Sequence, residues 1–80
     1  MTETTVVTAA QMVVGQYGVV VGIEGGHRLL SRLETLGIRP GKRICKVSSG
    51  FMRGPSVIKV GGCDIAIGFN MANRILAKTD

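Results

Sequence analysis

The sequence predicts a mainly β domain with one helix, arranged as a small, partly open barrel of five short strands. Valine and isoleucine occur in short runs that suit strands, and twelve glycines, about twice the usual ~7%, interrupt these runs. Hydrophobic residues make up 45% of the chain, although it has only two Phe, one Tyr and no Trp. We expect residues 1–80 to form a single domain, with residues 1–7 as a flexible or loosely paired N-terminus.

The first half of the chain is predicted to contain a turn, a strand and the helix. Thr8 can cap a short helical turn that Gly15 closes. In "QYGVVVGI" that follows, period-2 alternation separates a face with Tyr17, Val19, Val21 and Ile23 from a face with Gly18, Val20 and Gly22. We expect the first face to pack and the glycine face to allow close backbone approach. After Gly25 and Gly26, "HRLLSRLETLG" has leucines at helical spacing, which predicts the helix.

The stretch "LETLGIRPGKRI" is predicted to join that helix to the next strand, "KRICKV", through a rigid corner. Gly37 stands where a left-handed C-cap residue belongs, because glycine has no Cβ to penalise a positive φ. Ile38 can then fold back on the last helical turn. Pro40 prevents the helix from continuing, and Pro40-Gly41 suits the centre of a type II turn. The first role of the corner is therefore architectural.

The second half is predicted to contain a tight β-hairpin and a last strand. Ser56–Val60 and Cys63–Ile67 flank Gly61-Gly62, a two-residue loop that tolerates positive φ at both positions. After Gly68, "FNMANR" is typical of a single helical turn, and "ILAK" is consistent with a short strand.

Taken together, four segments resemble the ferrous iron transport protein A family, FeoA. They are "GxVxxIxGG" at residues 18–26, "LLSRLETLGIRPG" at 29–41, "GPSVIKVGG" at 54–62 and "IAIGFNMANRI" at 65–75, so the resemblance covers about residues 8–78. It implies an SH3-like β-barrel that carries one helix. The positions that we expect to matter for this structural motif are Gly26, Gly37, Pro40, Gly41, Gly54, Pro55, Gly61, Gly62 and Gly68.

The resemblance implies a cytosolic, non-enzymatic accessory protein of ferrous iron transport. Such a protein docks on and modulates a membrane transporter that has a cytoplasmic G-protein domain (FeoB-like). The expected location is cytoplasmic, with recruitment to the inner face of the membrane. Two alternatives stay open: an RNA-binding SH3-like barrel, and a metal-responsive module akin to the C-terminal domain of iron-dependent repressors. A mean hydropathy of +0.32 also leads us to expect a homo-oligomer, because uncovered apolar area tends to find a partner.

Composition argues against membrane insertion and catalysis. Residues 4–23 carry no charge, but they include two glutamines and three glycines and their valines are grouped as in strands. The N-terminus lacks the basic residues of a secretory signal. The one histidine and the dispersed carboxylates do not form a nucleophile–base pair, a carboxylate dyad or a phosphate loop. We therefore expect no enzymatic activity.

A transition metal ion is the one cofactor that the family name suggests. The candidate ligands are His27, Cys45, Cys63 and Asp64. No two of them have a recognised metal-ligand spacing. Structural roles fit the two cysteines better, since small thiols are common in strands.

Partner contact is predicted at the helical corner and at the glycine-rich loop that follows the next strand. The candidate residues are Leu33, Leu36, Ile38, Arg39, Phe51 and Met52. For Leu33 ordinary packing is the favoured alternative, and Phe51 and Met52 are either exposed binding groups or a lid over the barrel. A basic group could attract acidic protein, RNA or anionic lipid; its members are Arg39, Lys42, Arg43 and Lys46. The lack of interleaved aromatics argues against nucleic acid.

Overall fold

The computed structural model describes residues 5–50, 52 and 54–79, which form six strands and two short helices. The strands are β1 (Thr5–Thr8), β2 (Tyr17–Ile23), β3 (Arg43–Ser48), β4 (Ser56–Val60), β5 (Cys63–Ile67) and β6 (Ile75–Thr79). The helices are α1 (His27–Thr35), between β2 and β3, and α2 (Phe69–Ala72), between β5 and β6. The mainly β prediction is confirmed, and so are the main helix, the helical turn after Gly68 and the last strand.

The six strands form one antiparallel sheet in the order β1-β6-β2-β3-β4-β5. The sheet is not closed, so β1 and β5 are its edges, as a partly open barrel requires. The sheet has one strand more than the five expected, because residues 1–7 were predicted to form a flexible or loosely paired N-terminus. Residues 5–8 instead pair with β6 in register from Thr5↔Thr79 to Thr8↔Leu76. Residues 1–4 lie outside the described part of the chain.

The hydrophobic core lies on the inner face of the curled sheet and is aliphatic. From the strands come Val20, Ile44, Ile58, Val60, Ile67, Ile75 and Ala77; the helices and loops add Ala9, Met12, Leu33, Ile38 and Ala72. Two β-bulges, at Val21 in β2 and at Val47 in β3, locally bend the strands. Each bulge leaves one valine unpaired in the sheet, and both valines are partly exposed on its outer face.

The structure reverses the predicted faces of β2 up to the bulge at Val21, whereas Ile23, beyond the bulge, packs against the core as expected. Val20 is buried and Gly18 is packed on β6, whereas Tyr17, Val19 and Val21 are exposed. A Cβ at Gly18 would lie 3.1 Å from Cγ2 of Thr79, so the expected close approach on the glycine face is real. The valines of the predicted packing face do not pack on the core. The prediction was wrong because a period-2 pattern separates two faces of a strand without saying which of them lies inside.

The helical corner has the predicted geometry. Gly37 has φ +89°, and its N–H donates to the carbonyl of Glu34 while the Ile38 N–H donates to the carbonyl of Leu33, both at 2.9 Å. This pair of hydrogen bonds is a Schellman motif. The turn at Pro40-Gly41 is closed by a 3.0 Å hydrogen bond from the Lys42 N–H to the carbonyl of Arg39, with Gly41 at φ +92°. The type II turn is therefore confirmed.

Two backbone hydrogen bonds tie this corner to β2. The Gly41 N–H donates to the carbonyl of Val20 at 2.7 Å, and the Val20 N–H donates to the carbonyl of Lys42 at 2.9 Å. The hairpin between β4 and β5 is also as predicted, with Gly61 at φ +57° and Gly62 at φ +84°. Positive φ at both positions is the requirement of a type I′ turn. The Pro40-Gly41 turn thus fixes where β3 starts, and the hairpin turn fixes where β4 ends and β5 starts.

Candidate functional site

The outer face of the sheet carries a row of basic side chains across neighbouring strands. Lys78 of β6 pairs with Val19 of β2, and Val19 pairs with Arg43 of β3. Two residues further along, Tyr17, Cys45 and Lys59 form the next cross-strand row. These outward positions are on the side opposite the core. We refer to the surface lined by Tyr17, Lys42, Arg43, Lys59 and Lys78 as the basic groove.

Tyr17 and Arg43 interact directly in this groove. The guanidinium carbon of Arg43 lies 4.8 Å from the centroid of the Tyr17 ring, which is a cation–π distance. Tyr17 remains 58% exposed despite this contact. The pair therefore presents a planar cation and an aromatic ring to solvent.

In the part of the chain that the structure describes, most cations of the groove have no carboxylate within ion-pair distance. Within the described residues, the single ion pair joins Nζ of Lys59 to Oδ1 of Asp64 at 3.9 Å. Both side chains are about half exposed, so this pair contributes little to stability. Among the described residues, no carboxylate pairs with Lys42, Arg43 or Lys78, so these cations can face an external anion.

Two adjoining clefts give the groove its depth. The larger, about 450 Å³, lies between the start of β3 and the Gly61 turn, with Lys42, Arg43 and Lys59 among its lining residues. The smaller, about 240 Å³, shares Tyr17 and Arg43 with the first and adds Lys78. The two clefts adjoin at Tyr17 and Arg43, which line both of them, and together they span β6, β2, β3 and β4. The larger cleft falls within the ~300–1,000 Å³ range of ligand pockets.

Lys46, expected in the basic patch, instead points into the interior. Lys46 is fully buried, and its Nζ atom donates hydrogen bonds to the carbonyl oxygens of Ala9 at 2.6 Å and Ala10 at 3.2 Å. Burial lowers the pKa of the Lys46 ammonium from its ordinary value. The correction follows from strand alternation, since Arg43 and Cys45 face outward and Ile44 and Lys46 face inward. Lys46 thus anchors the turn after β1 to β3.

The structure divides the predicted docking residues into buried and exposed ones. Leu33 and Ile38 have no exposed area and belong to the core, so neither can touch a partner in this conformation. Their burial follows from the Schellman motif, which brings Ile38 back onto the helix. Leu36, 38% exposed, and Arg39 lie on the surface of the corner. The partner contact of these two residues stays a prediction.

The loop after β3 offers a second exposed position. Met52 is 84% exposed and has φ +50°, an uncommon backbone conformation for a residue with a Cβ. Phe51, the other candidate in this loop, lies outside the described residues. Pro55 is exposed just before β4. The backbones of Gly50 and Gly54 are so close that a Cβ added at Gly50 would collide with Gly54. The loop geometry is consistent with an exposed Met52 rather than a Met52 lid.

The candidate metal ligands do not converge. Among residues 5–50, 52 and 54–79, no three His, Cys, Asp or Glu side chains come close enough to hold a metal ion. Cys45 and Asp64 share a cross-strand row but have Lys59 between them, so about two strand spacings of ~4.8 Å separate their backbones. Cys63 is exposed at the start of β5, and His27 is exposed at the start of α1. The donor set does not fit a closed transition-metal site.

The family follows from comparison with known proteins. The FeoA domain matches residues 7–79, almost the whole chain. The chain belongs to the FeoA family. It is 37% identical to a protein whose crystal structure is described as an iron uptake regulatory protein (FeoA), covering 92% of this chain and 97% of that one with a TM-score of 0.81. No significant match is found among curated proteins. The membership confirms the resemblance and connects the chain to iron transport.

Other solved structures show how widely this fold occurs. The iron(II) transport protein A from Clostridium thermocellum is 24% identical over 90% of this chain and 44% of its own, with a TM-score of 0.84. A manganese-dependent transcriptional repressor is 15% identical, with a TM-score of 0.87; all of this chain matches 45% of the repressor. At these identities the likeness shows the SH3-like fold, which is the predicted fold class. In the described part of this chain, no helix is long and apolar enough to cross a membrane.

The sequence indicated the basic cluster, but it did not indicate which strands bring basic and aromatic side chains together in the groove. Tyr17 and Lys78 were not linked to Lys42 and Arg43, because they lie on separate strands far apart in the chain. The available signal was the alternation in "RICKV", which places Arg43 and Lys46 on opposite faces of a strand. Read in that way, it would have removed Lys46 from the basic group.

Proposed function

We propose that this chain is a non-enzymatic accessory of ferrous iron transport that docks on the cytoplasmic G-protein domain of the membrane transporter and modulates it. The FeoA domain match over residues 7–79 is the observation that supports this function. Docking places the chain in the cytoplasm, with recruitment to the inner face of the membrane. Iron is the cargo of the transporter in this proposal and needs no site on the accessory.

The surface that we assign to docking is the corner after α1. Leu36 and Arg39 project there from a segment that the Schellman motif and the hydrogen bonds to β2 hold rigidly. A rigid surface loses little conformational entropy on binding. An exposed leucine beside a cation matches the common pattern of an apolar contact flanked by charge. Exposed Met52 in the loop after β3 is an additional contact point.

The test is isothermal titration calorimetry of the full chain against the isolated G-protein domain, in each nucleotide state and with and without ferrous ion. We expect saturable one-to-one binding that the double variant Leu36→Ser/Arg39→Gln weakens by roughly tenfold or more, the effect of about 1.4 kcal/mol. The variant Val6→Ser is the matched control, because Val6 is an exposed apolar residue on edge strand β1.

Three outcomes are informative. Binding that Val6→Ser preserves and the corner variant loses supports docking through the corner. Binding that both variants preserve contradicts the corner as the docking surface. Absence of binding in every nucleotide state, with and without iron, overturns docking on this domain.

A further inference from the structure

The basic groove collects charge that folding does not require. Lys42 and Arg43, Lys59, and Lys78 come from three parts of the chain and line the two adjoining clefts, whereas in the described residues Asp64 is the one carboxylate that pairs with any of them. Like charges that are gathered on one surface repel one another. Their concentration here is therefore unfavourable for stability in isolation, and an anionic partner would relieve it.

The shape of the groove distinguishes it from a solvated convex face. Its two clefts share Tyr17 and Arg43 as lining residues, and concave walls of this kind concentrate the positive field. The glycine turns at its rim leave the surface open, since a Cβ at Gly41 would meet no atom within 4 Å. An extended chain can therefore approach the cations without a collision at this position.

The dimensions of the groove suit a short peptide. From Lys78 on β6 to Lys59 on β4 the groove crosses three strand intervals, about 14 Å at ~4.8 Å each. An extended peptide advances ~3.3 Å per residue, so about four or five residues cover this distance. Carboxylates on such a peptide can reach the Arg43 guanidinium, which accepts bidentate pairing, and the lysine ammonium groups.

The aromatic content favours protein over nucleic acid as the occupant. Proteins that bind single-stranded RNA stack successive bases on several aromatic rings. Among the described residues, the groove contains one aromatic side chain, Tyr17, and the Arg43 guanidinium already covers one of its faces. Charge complementarity is thus available for RNA, but base stacking at successive positions is not.

We propose that the basic groove binds a short, extended segment of a partner protein that is rich in aspartate and glutamate. This inference rests on the proposed function, because it assigns to the docking partner an acidic segment that engages a surface separate from the corner. Binding through the groove brings the partner in by electrostatic attraction, and the corner then supplies apolar contact.

The first test is an NMR titration of the isotope-labelled full chain with a blocked oligoglutamate peptide of about six residues. We expect shifts at Gly18, Val19, Arg43 and Cys45, and an affinity that falls as salt rises toward ~0.15 M. The double variant Lys42→Gln/Arg43→Gln should bind roughly two- to thirty-fold more weakly, the effect of losing two exposed ion pairs. An oligouridylate of matched length is the nucleic-acid probe.

The control variant is Arg28→Gln/Arg32→Gln, which removes the same charge from the exposed side of α1. Peptide binding that falls equally in both variants would reflect net charge alone and would overturn the groove. Oligouridylate binding that exceeds peptide binding and depends on Lys42 and Arg43 would overturn a protein occupant.

A local readout is the half-buried thiol of Cys45 in the larger cleft. In a Cys63→Ser background, bound peptide should slow alkylation of Cys45. Unchanged alkylation at saturating peptide would contradict occupation of the cleft.

The outcome for the groove can be separated from that for docking. If the G-protein domain does not bind but oligoglutamate does, docking on that domain fails and the groove stands. If the domain binds the groove variant as tightly as the control variant, docking stands and the groove proposal fails.

Discussion

Replacement of Lys46 tests the interior contact that connects β3 to the turn after β1. The Nζ atom donates to two carbonyl oxygens, at 2.6 Å to Ala9 and at 3.2 Å to Ala10. In Lys46→Met these carbonyls lose a charged donor, and an unsatisfied buried group costs about 1–3 kcal/mol. Relief of the buried ammonium offsets part of this loss. We expect the free energy of unfolding at pH 7 to fall by about 1–3 kcal/mol.

The variant Lys46→Ala should lose about 2 kcal/mol more than Lys46→Met, because it also removes the buried aliphatic stem. Urea unfolding followed by circular dichroism measures both values. Lys59→Met is the matched control, since Lys59 is exposed on β4 and its loss should change stability by no more than about 0.5 kcal/mol. A Lys46→Met variant as stable as wild type would refute the stabilising role of the Nζ hydrogen bonds.

The same variant predicts a dependence of stability on pH. Burial lowers the folded-state pKa of Lys46 below the ordinary 10.5, so between these two values the unfolded chain binds more protons than the folded one. Stability attributable to Lys46 therefore rises as pH increases through that window, and is constant below the folded-state pKa. The difference in unfolding free energy between wild type and Lys46→Met should grow with pH. A difference independent of pH through 10.5 would contradict the burial of this ammonium.

Three further substitutions distinguish a core leucine from a surface leucine and backbone strain from side-chain packing. Leu33→Ala should lower the free energy of unfolding by about 2–5 kcal/mol, because Leu33 is fully buried, and Leu36→Ala should lower it by well under half as much. Equal losses of unfolding free energy in urea would place Leu33 outside the core. Gly37→Ala should cost about 1–2 kcal/mol from the left-handed backbone alone, since its Cβ would meet Val60 at an ordinary 3.6 Å. A thermal melt within 2 °C of wild type would contradict this strain, because ~1 kcal/mol shifts the midpoint by about 4–8 °C in a domain of this size.

Features that depend on one or two residues could be predicted from the sequence. The C-cap at Gly37, the turn at Pro40-Gly41 and the hairpin at Gly61-Gly62 were all identified, because positive φ and the fixed φ of proline are properties of the residue itself. The helix from His27 was identified from the spacing of its leucines. The corner candidates were only partly separable, since exposure of Leu36 and burial of Leu33 depend on where the helix lies on the sheet.

The sequence by itself determined the turns, α1, the aliphatic core composition and the family of this protein, because these follow from local backbone preferences and from ordered motifs. The tertiary structure alone decided that Lys46 lies inside, that Val20 rather than the neighbouring valines of β2 is buried, and that β1 pairs with β6. It also placed Lys78 and Arg43 on either side of Val19, which completes the basic groove. The physical reason is that alternation along a strand separates two faces, while the choice of the inner face and of the neighbouring strand depends on contacts between distant parts of the chain.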